Sequence, residues 1–406
     1  MAKKQINVCF HCDPFIASPN HLPEKVGEFL FGLSLIFKPI DKLVQRFPSI
    51  SPFLIQSLIK VFLRIRLMSE IPVAYDDQNL HNRSIIIARE FKKRNIPVKS
   101  IRFLNLATNF YSINLSGKRK FFEGLPHLVP GGLNLIEFDD KGLLKKILKN
   151  SDIPYPEGQV FKNPAKAVDY ATNKLGFPVV VKPRSGSLSK HTTCNIRTEK
   201  ALKEAITIVK IISPEFIVEK HYNGDVNRVT LVGGAVIASC LRERPNVIGD
   251  GKKTVEQLVS EKNENPLRGA RHQKNFTLHK ITITERSIYI LKKQGLVLKS
   301  IPAKGRKVYL HDKVILACGA DIHDNTNLVH PSNIDLFKKV AKLCQAPVIG
   351  IDFIARDITV PYHRQKCAIL EVNSQPYIDM HHFPVTGQAR NVAGKILNHY
   401  LSNLKG

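Results

Sequence analysis

The chain has 406 residues, of which 61 are Lys or Arg and 34 are Asp or Glu, giving a formal charge of +27. Hydrophobic residues make up 43%, and 23 glycines and 24 prolines are spread without a period; this excludes collagen-like, coiled-coil and disordered classes and leaves room for roughly two to three domains. The charge predicts an anionic partner such as nucleotides, acidic peptides, nucleic acid or an anionic membrane surface.

The opening segment MAKKQINVCF has no long apolar core followed by a small-residue cleavage site, so no secretory signal is expected. Seven scattered cysteines, an odd number, predict reduced thiols and a cytoplasmic location. Cys9 and Cys12 form one CxxC inside the apolar strand INVCFHC, and no second pair has metal-ligand spacing. Residues 28–68 are rich in Leu, Ile and Phe, but Lys38, Pro39, Asp41, Lys42, Arg46, Pro48 and Pro52 interrupt them. No apolar run reaches the roughly 18 residues of a spanning helix. Phe53 to Met68 reads as an amphipathic helix with Lys60, Arg64 and Arg66, for which packing on a core is favoured over a membrane surface.

Further along, short β-branched runs alternate with capped helices, the pattern of an α/β or α+β protein. Asn163-Pro164 opens a helix that Gly176 closes, and PVVVKP follows as a buried strand. Thr198 caps a second helix, and EFIVEKH is the next strand. RVTLV, Gly233-Gly234 and AVIASCLR predict a hairpin, because two glycines supply the positive φ of a tight primed turn. A helix from about Asn333 to Cys344, the strands VIGIDFIA and AILEVNS, and a closing helix from about Thr386 complete the chain.

Three features carry chemistry. In Glu371-Val372-Asn373, strand alternation puts the carboxylate and the amide on one face while Val372 points the other way. If the strand bearing Asp352 pairs with it, a third oxygen converges, and such hard ligands suit Mg²⁺. Lys182 ends the strand PVVVKP just before a small-residue loop, RSGSLSKHTT, so it can reach a phosphate. Glu219-Lys220 ends FIVEK before the Asn223-Gly224 turn, where an edge could read an adenine. Taken singly, each also reads as ordinary solvated strand-end polarity.

Together these residues resemble the ATP-grasp ligases, in particular the ligase module of cyanophycin synthetase and the bifunctional glutathione synthetases. The resemblance covers roughly residues 105 to 400 and rests on an ordered set: DDKGLLKKILKNSDIPYPEG, FPVVVKPRSGS, FIVEKHYNGD, VIGDGKKTVEQLV, NPLRGARH, VHPSN, GIDFIARDI and ILEVNSQP. It implies an α+β ATP-grasp fold in which two lobes clamp ATP between antiparallel sheets, preceded by an α/β N-terminal domain. The implied division is 1–125, 126–225 and 226–406. By position, the resemblance implies Lys141 and Lys182 on phosphate, with Ser185, Gly186, Glu219, Lys220, Tyr222 and Asp225 holding the rest of the nucleotide. Asp352, Glu371 and Asn373 are the implied magnesium ligands, with two ions expected, and Arg228 and Arg242 the implied catalytic arginines. The implied chemistry is attack of a carboxylate on the γ-phosphate, then of an amine on the acyl phosphate.

The chain departs from that pattern in places. The lid loop reads SGSLSKH, with Lys190 and His191; the ribose carboxylate position falls on Val226, beside Asp225; and Asp379 stands where the relatives have an arginine, which argues against the cyanophycin substrate. The relatives' ANLS segment is VILA, Val314 to Ala317. The chain ends soon after the module, so one ATP site and one bond-forming step are expected. The expectation is a cytoplasmic, homo-oligomeric ligase joining an amino acid or other small carboxylic acid to an amine-bearing partner. The alternatives are a catalytically degenerate ATP-binding protein with a regulatory role, and an enzyme acting on a polyanion such as tRNA.

Overall fold

A computed structural model describes residues 21, 57, 59–115, 117–126, 140–184 and 190–404. The CxxC pair, most of the apolar segment 28–68, and the nucleotide-site candidates Ser185 and Gly186 lie outside the described residues. Among the described residues, no helix is long and apolar enough to cross a membrane.

Among the described residues, three sheets of four or five strands organise the fold. The first contains β1 (Met68–Pro72), β2 (Val98–Phe103), β3 (Leu106–Leu115) and β4 (Lys118–Glu123), in order 1-2-3-4. Every pairing is antiparallel, because the links from β2 to β3 and from β3 to β4 are too short for the crossovers that parallel strands require. Helical backbone at 59–64 ends at Arg66, which has φ 60, and Met68 begins β1 instead of ending a helix. Ile59 and Leu63 pack with Ile101 and Phe121, in line with a core-facing helix. Helix α1 (Asn82–Lys92) lays Ile85, Ile87 and Phe91 into a core shared with Val232, Val348 and Ile396, so this unit is welded to the C-terminal part of the chain.

The second sheet has β5 (Gly158–Phe161), β6 (Val179–Pro183), β7 (Thr193–Ile196) and β8 (Phe216–Lys220), in order β5-β8-β6-β7. Helices α3 (Pro164–Tyr170) and α4 (Glu199–Lys210) cover one face, burying Ala167, Leu202, Ile206 and Val209 on Val179, Val181 and Val218. Asn163 and Thr198 cap these helices by accepting from the amides of Lys166 and Ala201. Helix α2 (Lys141–Lys149) precedes this unit, yet its Leu144 and Leu148 join the core of the third sheet.

The third sheet runs β15 (Asp321–Asp324), β10 (Ala235–Glu243), β9 (Asp225–Val232), β16 (Val348–Ala355) and β17 (Ala368–Asn373). Gly233 and Gly234, at φ 57 and 78, form the expected turn between β9 and β10. Between β10 and β15 lies an insert with its own small core of Val247, Leu258, Leu291 and Val308. It contains β11 (Asn246–Ile248) paired with β14 (Lys307–Tyr309), and β12 (Arg268–Gly269) paired with β13 (Leu278–His279). Helices α5 (Val255–Asn263) and α6 (Glu285–Lys293) complete it. Helix α7 (Pro331–Cys344) covers one face of the third sheet, where Val229, Ile349, Ile351 and Phe353 pack on Leu336 and Phe337. The closing helix α8 (Val392–Ser402) starts six residues later than the expected Thr386. Asn391 supplies its cap, whereas Thr386 bridges His323, Gly387 takes φ 88, and Arg390 holds Asp324.

Candidate functional site

Strand alternation determines which side chains reach the uncovered face of the second sheet. Val179, Val181 and Val218 point into its core, so Lys182 and Glu219 point away from it. The two are diagonal neighbours on β6 and β8, and Lys182 Nζ lies 2.6 Å from Glu219 Oε1. Lys145 reaches in from α2, its Nζ 2.7 Å from Oε2 and donating to the Pro156 carbonyl at 2.5 Å. Glu219 is 3% exposed. Burial alone raises its carboxyl pKa, but Lys182 and Lys145 outweigh burial and hold it below the usual range. Burial lowers the Lys145 ammonium, helped by Lys182 and opposed by Glu219.

Lys141, the first residue of α2, is placed by the helix cap: Asp140 Oδ1 accepts from the amides of Gly142 and Leu143 at 2.9 and 3.3 Å. Arg184, just past β6, clamps that cap. Its Nη2 lies 2.6 Å from Asp140 Oδ2 and its Nη1 2.5 Å from Glu215. Lys220, expected beside Glu219 at an adenine edge, is turned by alternation to the other face. There its Nζ donates to the carbonyls of Leu175, Gly176 and Phe177 at 3.1, 3.0 and 3.3 Å, so the side chain closes a loop and does not join Glu219. Tyr222, half-buried, and Asp225, exposed, lie on the link from β8 into β9. Gly224 there has φ 156 and passes so close to Ala355 that an added Cβ would meet its carbonyl oxygen at 2.5 Å. The Asp225 carboxyl is raised by burial and by Glu243. His191, one of the unusual lid residues, is 1% exposed, with Nδ1 2.7 Å from the Ile208 carbonyl of α4.

On the third sheet, β16 pairs with β17 in a register that sets Asp352 directly against Glu371. On its other side β16 sets Asp352 against Arg228. Val372 is fully buried in the α7-side core, so Glu371 and Asn373 share the opposite face with Asp352. Both oxygens of Asp352 are taken: Arg228 Nε lies 2.5 Å from Oδ1 and Arg242 Nη2 2.6 Å from Oδ2. Burial pushes this carboxyl up, and the two guanidinium groups more than reverse that. Arg228 Nη1 and Arg242 Nε are buried without hydrogen-bond partners, as is Asn373 Nδ2. The donor set fits Mg²⁺. Among the described residues neither the Glu371 nor the Asn373 side chain is tied up in an ion pair or hydrogen bond, and Asp352 adds a third hard oxygen once an arginine yields.

Helix α2, with Lys141 and Lys145, packs through Leu144 and Leu148 into the same core as Ile369 and Val372 of β17. The lysine-rimmed carboxylate and the oxygen trio are thereby carried on elements that touch. The loop after β17 continues the site. Asp379 is 6% exposed, and its Oδ2 accepts from Thr277 Oγ1 at 2.7 Å. Burial raises its carboxyl despite Thr277 and the nearby charges of Arg83 and Arg228. His381, also buried, lies 2.8 Å from Thr230 Oγ1.

A second group with metal-ligand atoms, Glu243, Asp321 and His323, lies on β10 and β15. Its carboxylates are already neutralised, Asp321 by Lys262 and Arg268 and Glu243 by Lys307.

Sequence reasoning missed Lys145, Arg184 and Arg83. Lys145 is one helical turn beyond Lys141 on the same face, a signal that was available. In the sequence Arg184 stands only as the first residue of the loop RSGSLSKHTT. Arg83, whose Nη1 donates to the Gln375 carbonyl at 2.7 Å, had no sequence signal, since that contact depends on the docking of α1.

Comparisons with known proteins agree with this architecture. Residues 138–279 match the family described as the RimK-like ATP-grasp domain. The chain is 32% identical over 330 residues to a cyanophycin synthetase of Trichormus variabilis, covering 80% of this chain and 36% of that protein. It is 29% identical over 329 residues to a glutathione biosynthesis bifunctional protein of Clostridium perfringens, covering 80% of this chain and 41% of that protein. The crystal structure of a bifunctional glutathione synthetase from Pasteurella multocida superposes with a TM-score of 0.61 at 25% identity, covering 80% of this chain and 45% of that one. The chain thus spans less than half the length of each of these relatives. It carries a RimK-like ATP-grasp domain within an α+β fold similar to that of the bifunctional glutathione synthetases.

Proposed function

We propose that the chain is an ATP-dependent carboxylate–amine ligase. The observation that carries this reading is the packing of α2 on β17, which sets the Lys145–Glu219–Lys182 cluster beside the strand that bears Glu371 and Asn373. Lys141 and Lys182 are the proposed phosphate contacts, and Glu219, Tyr222 and Asp225 the proposed contacts to the rest of the nucleotide. Asp352, Glu371 and Asn373 would hold Mg²⁺, which in such a site neutralises charge on the transferring phosphoryl oxygens. An acid's carboxylate oxygen attacks the γ-phosphorus of ATP; an O–P bond forms, the bridging P–O bond breaks, and ADP departs. An amine nitrogen then attacks the acyl carbon; the C–N bond forms, the C–O bond breaks, phosphate leaves, and the nitrogen gives up its proton. Arg228 and Arg242 are the proposed donors to the accumulating negative charge, where cationic groups are most effective.

The proposed substrates are an amino acid or other small carboxylic acid and an amine-bearing acceptor; a homo-oligomer in the cytoplasm is the proposed setting. A screen of acids and amines for ADP release tests the function. The reading stands if one pair gives ADP, phosphate and an amide in equal amounts. The double occupation of Asp352 by arginines favours a second reading, an ATP-binding protein that no longer turns over. Tight Mg-ATP binding without ADP release across the panel would select it.

A further inference from the structure

One face of the first sheet packs on α1 through Val98, Tyr111 and Ile113. On its other face Ile101 and Phe121 are covered by Ile59 and Leu63 of the helical backbone at 59–64. Two residues further round the helix, Val61 and Ile65 are turned away from the sheet, and both are exposed. This second apolar side runs into the end of the sheet. The Leu104 amide donates to the Leu67 carbonyl at 3.0 Å, Phe103 pairs with Met68 on one side and Leu106 on the other, and the Phe62 and Phe103 rings lie 6.4 Å apart. Leu67, Phe103, Leu104 and Leu106 are exposed as well, the last two to 61% and 71%.

The turn that presents these side chains does not suit its sequence. Leu104 and Asn105 have φ 47 and 66, values that a tight primed turn demands and that favour Asn or Gly over Leu. A large apolar side chain held in water on unfavourable backbone gains nothing for the fold, and marks a surface that meets something apolar. Charge narrows what that is. Residues 57–67 contain Lys60, Arg64 and Arg66, all exposed, and no acid. The nearby carboxylates of Glu70 and Asp77 are already paired with Arg119 and Arg102. A second copy of the chain would set these same cations against each other. Residues 29–56 would do likewise, since Lys38, Lys42 and Arg46 outnumber Asp41 there. Nucleic acid would satisfy the charge but leave the leucines in water.

We infer that this face docks the chain on an anionic phospholipid bilayer. Leu104, Leu106 and Ile65 enter the boundary between headgroups and acyl chains, and Lys60, Arg64 and Arg66 meet the lipid phosphates. The chain lies on the bilayer without crossing it, and the inference does not depend on the ligase reading.

The test is co-sedimentation of the full chain with vesicles of phosphatidylcholine alone, or of equal parts phosphatidylcholine and phosphatidylserine. Wild type should bind the mixed vesicles about tenfold or more tightly than the neutral ones, and less tightly as salt is added. Leu104→Asn with Leu106→Asn keeps the charge and should weaken binding by about tenfold or more. Because Asn accepts the backbone of residue 104, this variant should melt no lower than wild type. Lys60→Gln, Arg64→Gln and Arg66→Gln together should weaken binding by about a hundredfold, at roughly fivefold for each cation. Lys166→Gln, Lys200→Gln and Lys210→Gln, exposed positions on α3 and α4, remove the same charge elsewhere and should weaken it far less. Failure to bind mixed vesicles, equal binding to both kinds, unchanged binding by the leucine variant, or equal losses in the two charge variants would each overturn the inference. So would a wild-type dimer without lipid that the leucine variant converts to monomer, since the face would then belong to a second copy.

Discussion

Lys182 holds Glu219 at 2.6 Å across two neighbouring strands, with both side chains almost removed from solvent. With Lys145 on the other oxygen, one carboxylate balances two ammonium groups. Glu219→Gln would leave two buried cations facing each other, and breaking such a pair costs about 3–5 kcal/mol. Thermal unfolding should show a clear fall in Tm, and isothermal titration should show loss of Mg-ATP binding. A wild-type Tm in the variant would contradict the balance described.

Asp352 differs from its strand neighbours Glu371 and Asn373 in what its removal does. Glu371→Ala and Asn373→Ala remove no ion pair and should leave the fold intact while weakening magnesium-dependent nucleotide binding by about tenfold or more. Asp352→Ala also strands Arg228, whose side chain is 7% exposed, and should therefore lower the Tm as well. Denaturation curves set beside Mg-ATP titrations separate the two effects. Equal stability of all three variants would mean that the Asp352–Arg228 pair contributes little.

Gly158 faces Glu219 in the β5–β8 register, and a Cβ there would lie 2.5 Å from both Glu219 Cβ and the Val218 carbonyl oxygen. Backbone cannot yield as a flexible side chain does, so Gly158→Ala should cost about 1–3 kcal/mol and move Glu219 off its lysines. Urea denaturation measures the first effect and nucleotide titration the second. A variant that is stable and binds normally would show that β5 can part from β8 without consequence.

Glu243 gives a pH signature. Its carboxyl is drawn down to about 2, first by the neighbouring His323 ring, whose Nε2 lies 3.4 Å from Oε2, and then by Lys307, against some burial. A depressed carboxylate stabilises the fold fully above its unfolded value, near 4.5, and that contribution is lost as pH falls towards 2. Partial solvent exposure screens the effect and reduces its size. The Tm of Glu243→Gln should therefore fall less steeply than wild type between about pH 5 and pH 2, as read by circular dichroism. Parallel curves would remove Glu243 from the acid response.

Asp379 shows where the sequence misleads. Read from the sequence as an acid standing where the relatives have an arginine near the acceptor site, Asp379→Arg invites a change of acceptor preference. In the fold Asp379 is buried on Thr277 near Arg83 and Arg228, so an arginine there adds a third guanidinium and should lower the Tm sharply. Asp379→Asn, which keeps an oxygen for Thr277, is the variant expected to stay folded and to change acceptor binding. Retention of the wild-type Tm by Asp379→Arg, in the same melting experiment, would show room that the burial does not suggest.

The sequence determined whatever depends on local periodicity and caps. Two-residue alternation placed Glu371 and Asn373 opposite Val372, Gly233-Gly234 announced their hairpin, and Asn163 and Thr198 marked their helices, because each signal is carried by neighbouring residues. It also bounded the chemistry, since oxygen ligands, strand-end lysines and their order along the chain are themselves sequence. Tertiary packing decided the rest. The same alternation that brings Glu219 into the site takes Lys220 out of it, but which face is open depends on where α3 and α4 dock. That Lys145 shares a carboxylate with Lys182, that two arginines hold Asp352, and that Arg83 reaches the loop after β17 all depend on contacts between elements distant in the chain. Such contacts exist only once apolar faces have been buried against one another, and no periodicity within a single segment encodes them.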